Sequence, residues 1–109
     1  MLTPEDFDKI EIRTGTILLA EKFPEARIPA YKLTIDFGDL GIKKSSARIT
    51  SYYTPSQLTG IQIVAVVNFP VRQIGPFMSE CLVLGAVDNS GGVVLLQTSL
   101  ATANGLRIS

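Results

Sequence analysis

The 109-residue sequence contains no histidine and one cysteine, Cys81. These absences remove whole classes of chemistry. Ser-His-Asp and Cys-His nucleophile systems need the missing imidazole. A zinc site draws on several His or Cys ligands, and none can be assembled. One cysteine cannot form an intrachain disulfide. Its setting, Cys81-Leu82-Val83-Leu84, is that of a small core residue and not of a reactive thiol. Neither a GxxxxGK(S/T) loop nor a strand-borne GxGxxG is present, so nucleotide cradling by those devices is excluded. The longest apolar stretch, around Ile61 to Phe69, falls far short of the ~20 residues that a membrane helix needs. No charged-then-apolar signal segment opens the sequence, and the expectation is a soluble, cytoplasmic protein.

Paired carboxylates are the main catalytic route left open, and the acids have structural explanations. Glu5, Asp6 and Asp8 crowd the start of a predicted helix, where negative charge complements the dipole. Thr3-Pro4 reads as an N-cap with proline at the first helical position. Asp36 and Asp39 flank a turn at Gly38. The inventory therefore points to a binding protein and not an enzyme, with no metal and no cofactor.

What is present is apolar and strand-like. The length suits one domain, residues 1–109, and the 46 % hydrophobic content favours an oligomer that hides the surplus in an interface. The apolar C-terminal half, Val83 to Leu106, is the expected contact region. A helix is predicted over about residues 3–9. Strands are predicted over 12–20, 30–37, 41–50, 61–69, 81–87 and 93–97. In the second of these, Tyr31, Leu33, Ile35 and Phe37 alternate with Lys32, Thr34 and Asp36, the period of a strand with one buried face. Thr54-Pro55-Ser56-Gln57 is a capping-box signature for a short helix ending at Gly60. Asp88 to Gly92 is a hairpin turn. The outline is all-β, an OB-fold Greek-key barrel with short N-terminal and inter-strand helices. SH3-like barrels and small sandwiches share enough of this pattern to stay open.

Ten basic residues balance ten acidic ones, but not evenly along the chain. Residues 1–40 hold five bases against eight acids; from residue 41 onward there are five bases against two acids. If the third strand alternates, Lys44, Ser46 and Arg48 share a face, with Lys43, Ser45 and Ala47 opposite. Such a strip suits phosphates and ribose, contacts that position RNA without reading its sequence. An ordinary solvated strand face would show the same residues. The segment Val66 to Glu80, "VVNFPVRQIGPFMSE", breaks the strand pattern with polar and turn-forming residues wedged between two apolar runs.

The segments "IRTGTI" (12–17), "AYKLTIDFG" (30–38), "KKSSARIT" (43–50) and "VNFPVRQIGPFMSECLVLG" (67–85) resemble, in order and spacing, the bacterial CsaA-type proteins. These are stand-alone members of the tRNA-binding-domain family, also found appended to methionyl- and phenylalanyl-tRNA synthetases. The resemblance covers nearly the whole chain. It implies an OB-fold homodimer that binds tRNA without catalysis, and a chaperone role holding unfolded or exported preproteins. Carried over by motif, Arg13, Lys44, Ser46 and Arg48 would face RNA, with Asn68, Arg72, Ser79 and Glu80 at the groove rim. Phe77 and Met78 are the candidates for peptide contact. The sequence departs from the family pattern at Val71, Gln73 and Gly75-Pro76. Neutral Gln73 stands where Lys is common, and the loss of one phosphate contact lowers the salt slope by roughly 0.9.

Overall fold

The computed structural model describes all of residues 1–109. Two short helices are set by their caps. In α1 (Pro4–Asp8), the Asp6 N–H donates to the Thr3 hydroxyl and the Thr3 N–H donates to the Asp6 carboxylate, closing a capping box. In α2 (Pro55–Leu58), the Thr54 N–H donates to Gln57 Oε1 at 2.9 Å. This helix is one turn long and survives because Leu58 is fully buried in the core.

The main sheet is antiparallel. It contains β1 (Ile12–Lys22), β2 (Tyr31–Asp36), β3 (Ile42–Ala47), β4 (Gln62–Val66) and β7 (Leu82–Val83), in the order β3-β2-β1-β4-β7. Eleven-residue β1 pairs with β4 through its first half and with β2 through its second. A register shift between Ile17 and Leu19 marks the bend. A bulge there lets one strand serve both walls of a barrel. Ile17, Leu33, Ile35, Phe37 and Ile63 are wholly excluded from solvent inside it. Gly15 is required by this packing. A Cβ there would sit 2.7 Å from both Ile35 Cγ2 and the Phe37 ring.

β3 and β7 are not joined by a ladder. Side chains close the gap: Ser45 Oγ donates to the Cys81 carbonyl (2.8 Å), the Ser46 N–H to Ser79 Oγ (3.0 Å) and the Lys44 N–H to Glu80 Oε1 (2.9 Å). One main-chain bond, from the Glu80 N–H to the Lys44 carbonyl (2.7 Å), completes the seam. The result is an all-β, OB-fold-like barrel. No helix is long and apolar enough to cross a membrane.

The structure differs from the sequence reading in several places. The strands expected over 41–50 and 61–69 end earlier, at Ala47 and Val66. The expected loop is partly a hairpin, β5 (Arg72–Ile74) with β6 (Phe77–Ser79), turning at Gly75 with φ 56°. The expected strand 81–87 breaks at Leu84 into β7 and β8 (Gly85–Val87) because the chain changes partners there. The Leu84 N–H donates to Val64 of β4, while the Leu84 carbonyl accepts from Leu96. Beyond that point β8 pairs with β9 (Val93–Leu95) through the predicted Asp88–Gly92 turn. The C-terminal tail then docks on β1: the Thr14 N–H donates to Leu106, and Gly105 and Ile108 donate to Thr14 and Ile12.

Candidate nucleic-acid interface

The inward residues of β3, Ser45 and Ala47, are buried in the barrel. Pleating therefore turns Lys44 and Ser46 outward, in register with Thr34 and Lys32 of β2, and Arg48 continues the same side just past the strand. Two structures rise beside this strip. One is the β1–β2 loop, residues 23–30; the other is the β5–β6 hairpin. Between them lies an open groove of about 730 Å³. Its polar lining is Glu25, Arg27, Ser46, Arg48, Arg72 and Gln73, and its apolar lining includes Ile28, Ala30 and Ile74.

The hairpin is held in place by aromatic packing. Phe77 meets buried Phe23 edge-on, with ring centroids 5.3 Å apart and planes at 62°. Lys32 Nζ lies 5.6 Å over the Phe23 ring. Phe23 sits at the root of the β1–β2 loop, so this contact ties both walls of the groove together.

Charge pairing separates the arginines. The ion pairs of the molecule are Lys9–Asp6 (3.8 Å) and Arg13–Glu11 (2.7 Å). Arg27, Arg48 and Arg72 therefore enter the groove without a carboxylate partner, and Glu25 is the only acid in its lining. Unpaired guanidinium forks suit phosphate oxygens, which they bind in bidentate fashion.

Of the residues singled out in the sequence, Ser46, Arg48 and Arg72 come together in this groove, and Lys44 flanks it on the same strand. The structure does not bring the other four to it as free side chains. Arg13 is on β1, where it donates to Glu11 Oε1 and, at 3.1 Å, to the Gly105 carbonyl, fastening the C-terminal tail. The hydrogen bond from Arg13 holds the Glu11 carboxyl below its ordinary range, and the Arg107 charge assists. Asn68 accepts from the Glu11 N–H (2.9 Å) and donates to the Lys9 carbonyl (2.8 Å), pinning the α1–β1 link to the end of β4. Ser79 is buried and Glu80 half-buried, and both side chains are spent on the barrel seam. Phe77 is half-buried against Phe23, whereas Met78 is exposed.

Sequence reasoning missed Arg27 and Glu25. The stretch Pro24 to Pro29, two prolines bracketing charged residues between strands, was the available signal. Away from the groove, burial pushes the Cys81 thiol up to about 11. At the β8–β9 turn, hydrogen bonds from Tyr52 and Ser90 hold the Asp88 carboxyl below its ordinary range. No three His, Cys, Asp or Glu side chains gather as a metal site.

Comparison with known proteins bears on what such a groove serves. Residues 12–107 match the family described as "Putative tRNA binding domain". The chain is 54 % identical to the crystal structure of the chaperone CsaA from Bacillus anthracis, with a TM-score of 0.95 over 100 % of this chain and 99 % of that one. A CsaA chaperone structure from Picrophilus torridus gives 49 % identity and a TM-score of 0.93, with both chains fully covered. Among curated sequences, a methionine–tRNA ligase of Porphyromonas gingivalis is 34 % identical over 104 residues, 95 % of this chain. The chain spans only about 15 % of the length of such ligases, so it matches them through this one region.

Proposed function

Because the chain belongs to the tRNA-binding domain family, we propose that residues 1–109 form one non-catalytic tRNA-binding unit whose contact surface is the arginine groove. The observation that carries this reading is the presence of three unpaired arginines beside Ser46 in one groove. In this proposal Arg27, Arg48, Arg72 and Lys44 neutralise phosphates, and Ser46 and Gln73 hydrogen-bond to sugar or backbone. Arg13, Asn68, Ser79 and Glu80 act indirectly, by fixing the tail, the α1–β1 link and the seam on which the groove stands. Titration of labelled tRNA against the Arg48→Ala/Arg72→Ala double variant tests the assignment. Binding that is undiminished in that variant refutes it.

The working form in this proposal is a cytoplasmic homodimer. Val87, Val94, Leu96 and Leu100 leave apolar surface exposed on the C-terminal segment, and Val87 and Leu100 keep 71 % and 79 % of theirs. A second copy covering that face would double the groove and raise avidity for one tRNA without new contacts per site. Analytical ultracentrifugation with Val87→Asp/Leu100→Asp tests this, and an unchanged sedimenting mass overturns it.

A second reading is favoured by the near-complete match to structures named as chaperones. In it the protein holds unfolded preprotein segments, with exposed Met78 and the neighbouring Phe69 and Val71 offering apolar contact. Light scattering from an aggregating client checks it. If an excess of the protein leaves the aggregation curve unchanged, this reading fails.

A further inference from the structure

The groove has the dimensions of a small-molecule site. Ligand pockets run to roughly 300–1,000 Å³ and combine apolar walls with a few converging polar groups. This groove, at about 730 Å³, falls inside that range. Phosphates need cationic donors, and Arg27, Arg48 and Arg72 come from three different segments: the β1–β2 loop, the residue that follows β3 and the β5–β6 hairpin. A nucleobase needs apolar faces, and Ile28 and Ile74 provide them from the two opposing walls. Base edges and ribose hydroxyls need acceptors and donors, and the Glu25 carboxylate and Gln73 amide line the same space. A surface made only to slide along a nucleic-acid backbone requires the cations but neither the concavity nor the isoleucine walls.

We infer that each groove is a pocket for one nucleoside carrying two or more phosphates, and that such a nucleotide competes with tRNA for the arginines. This rests on the groove being the tRNA surface only for its second half; the pocket itself stands on the lining residues. Two sources supply the chemistry, a free nucleotide or a phosphorylated nucleotide at an exposed RNA end. Regulation follows directly, because a cell rich in free nucleoside polyphosphates would hold less tRNA on this protein.

Isothermal titration of the full chain with ADP, inorganic pyrophosphate and adenosine, at a low salt concentration, tests the pocket. ADP binding at sub-millimolar concentration, weakened about tenfold or more in Arg72→Ala and in Arg48→Ala, is the expected result. Pyrophosphate binding as tightly as ADP overturns the nucleoside part, as does unaltered ADP binding in Ile28→Ser/Ile74→Ser. No ADP binding by a protein that still binds tRNA overturns the inference and leaves the tRNA reading intact. ADP binding without displacement of labelled tRNA overturns the competition and places tRNA elsewhere. A 5′-diphosphorylated trinucleotide, compared with its 5′-hydroxyl form, distinguishes the RNA source. A preference over ADP assigns the pocket to an RNA end; parity assigns it to free nucleotide.

Discussion

Replacing Arg27, Arg48 and Arg72 together with alanine tests the electrostatic argument most directly. Each guanidinium is without an ion-pair partner and lines the same groove. If each contacts one phosphate, the triple variant loses about three counterion-release events, and the slope of log K against log salt becomes shallower by roughly 2–3. Across a fourfold rise in salt, wild-type affinity should then fall roughly 15–60-fold further than the variant's. Exposed surface substitutions leave stability within about 0.5 kcal/mol, so each single change should move Tm by no more than about 2–4 °C. Arg13→Ala is the informative contrast. It removes the charge-assisted hydrogen bonds to the Gly105 carbonyl and the Glu11 carboxylate, the first alone contributing about 1.5–3 kcal/mol, and should lower Tm by roughly 6 °C or more without altering the salt slope. Fluorescence anisotropy of labelled tRNA at several salt concentrations, with parallel thermal melts, measures both quantities. An unchanged slope in the triple variant, or a slope change in Arg13→Ala matching a groove arginine's, refutes the reasoning.

Gly15→Ala should destabilise by about 1–3 kcal/mol, since its Cβ meets the Phe37 ring and Ile35 at 2.7 Å inside a closed barrel; urea titration checks it. Cys81, buried and titrating at about 11, should react with a thiol reagent at neutral pH far more slowly in the native than in the urea-unfolded chain. Because Asp88 titrates lower in the folded state than in the unfolded one, its turn contributes stability that is present above the ordinary aspartate range. That contribution is lost as pH falls through the lowered folded value. Tyr52→Phe removes the leading cause of that shift, so acid melting curves of the variant should show a weaker dependence over this window.

The barrel was legible because its signals are periodic or local. Alternation in Tyr31 to Phe37 needs only the pleat, and each capping box needs only four residues. Ser46 and Arg48 were legible as one strand face for a similar reason, since a strand face follows from parity; that Arg72 joins them in one groove came from the family resemblance and not from a local pattern. What could not be read is where polar side chains find partners. Asn68 and Glu11 lie 57 residues apart, and Ser46 and Ser79 lie 33 apart. No local pattern reveals that Asn68 will bind backbone or that Ser79 will close a seam. Arg27 escaped for the opposite reason. Its loop lacks periodicity, and only the fold of β1 onto β2 brings it into one groove with Arg72.

Net charge was accordingly a poor guide to what this surface can bind. Ten bases and ten acids cancel over the chain. A phosphate in the groove responds mainly to charges within about a Debye length, roughly 8–10 Å at cellular ionic strength. Within the lining there are three arginines and one glutamate. The remaining arginine side chains are committed elsewhere: Arg13 to Glu11 and Gly105, and Arg107 to the Asp8 carbonyl. The acid-rich first forty residues place Glu5, Asp6 and Asp8 on α1, outside the groove. A neutral chain thus presents a locally cationic cleft because its fold separates the paired arginines from the unpaired ones. The unpaired set is also the set that costs least to desolvate against phosphate, since no existing ion pair must be broken first.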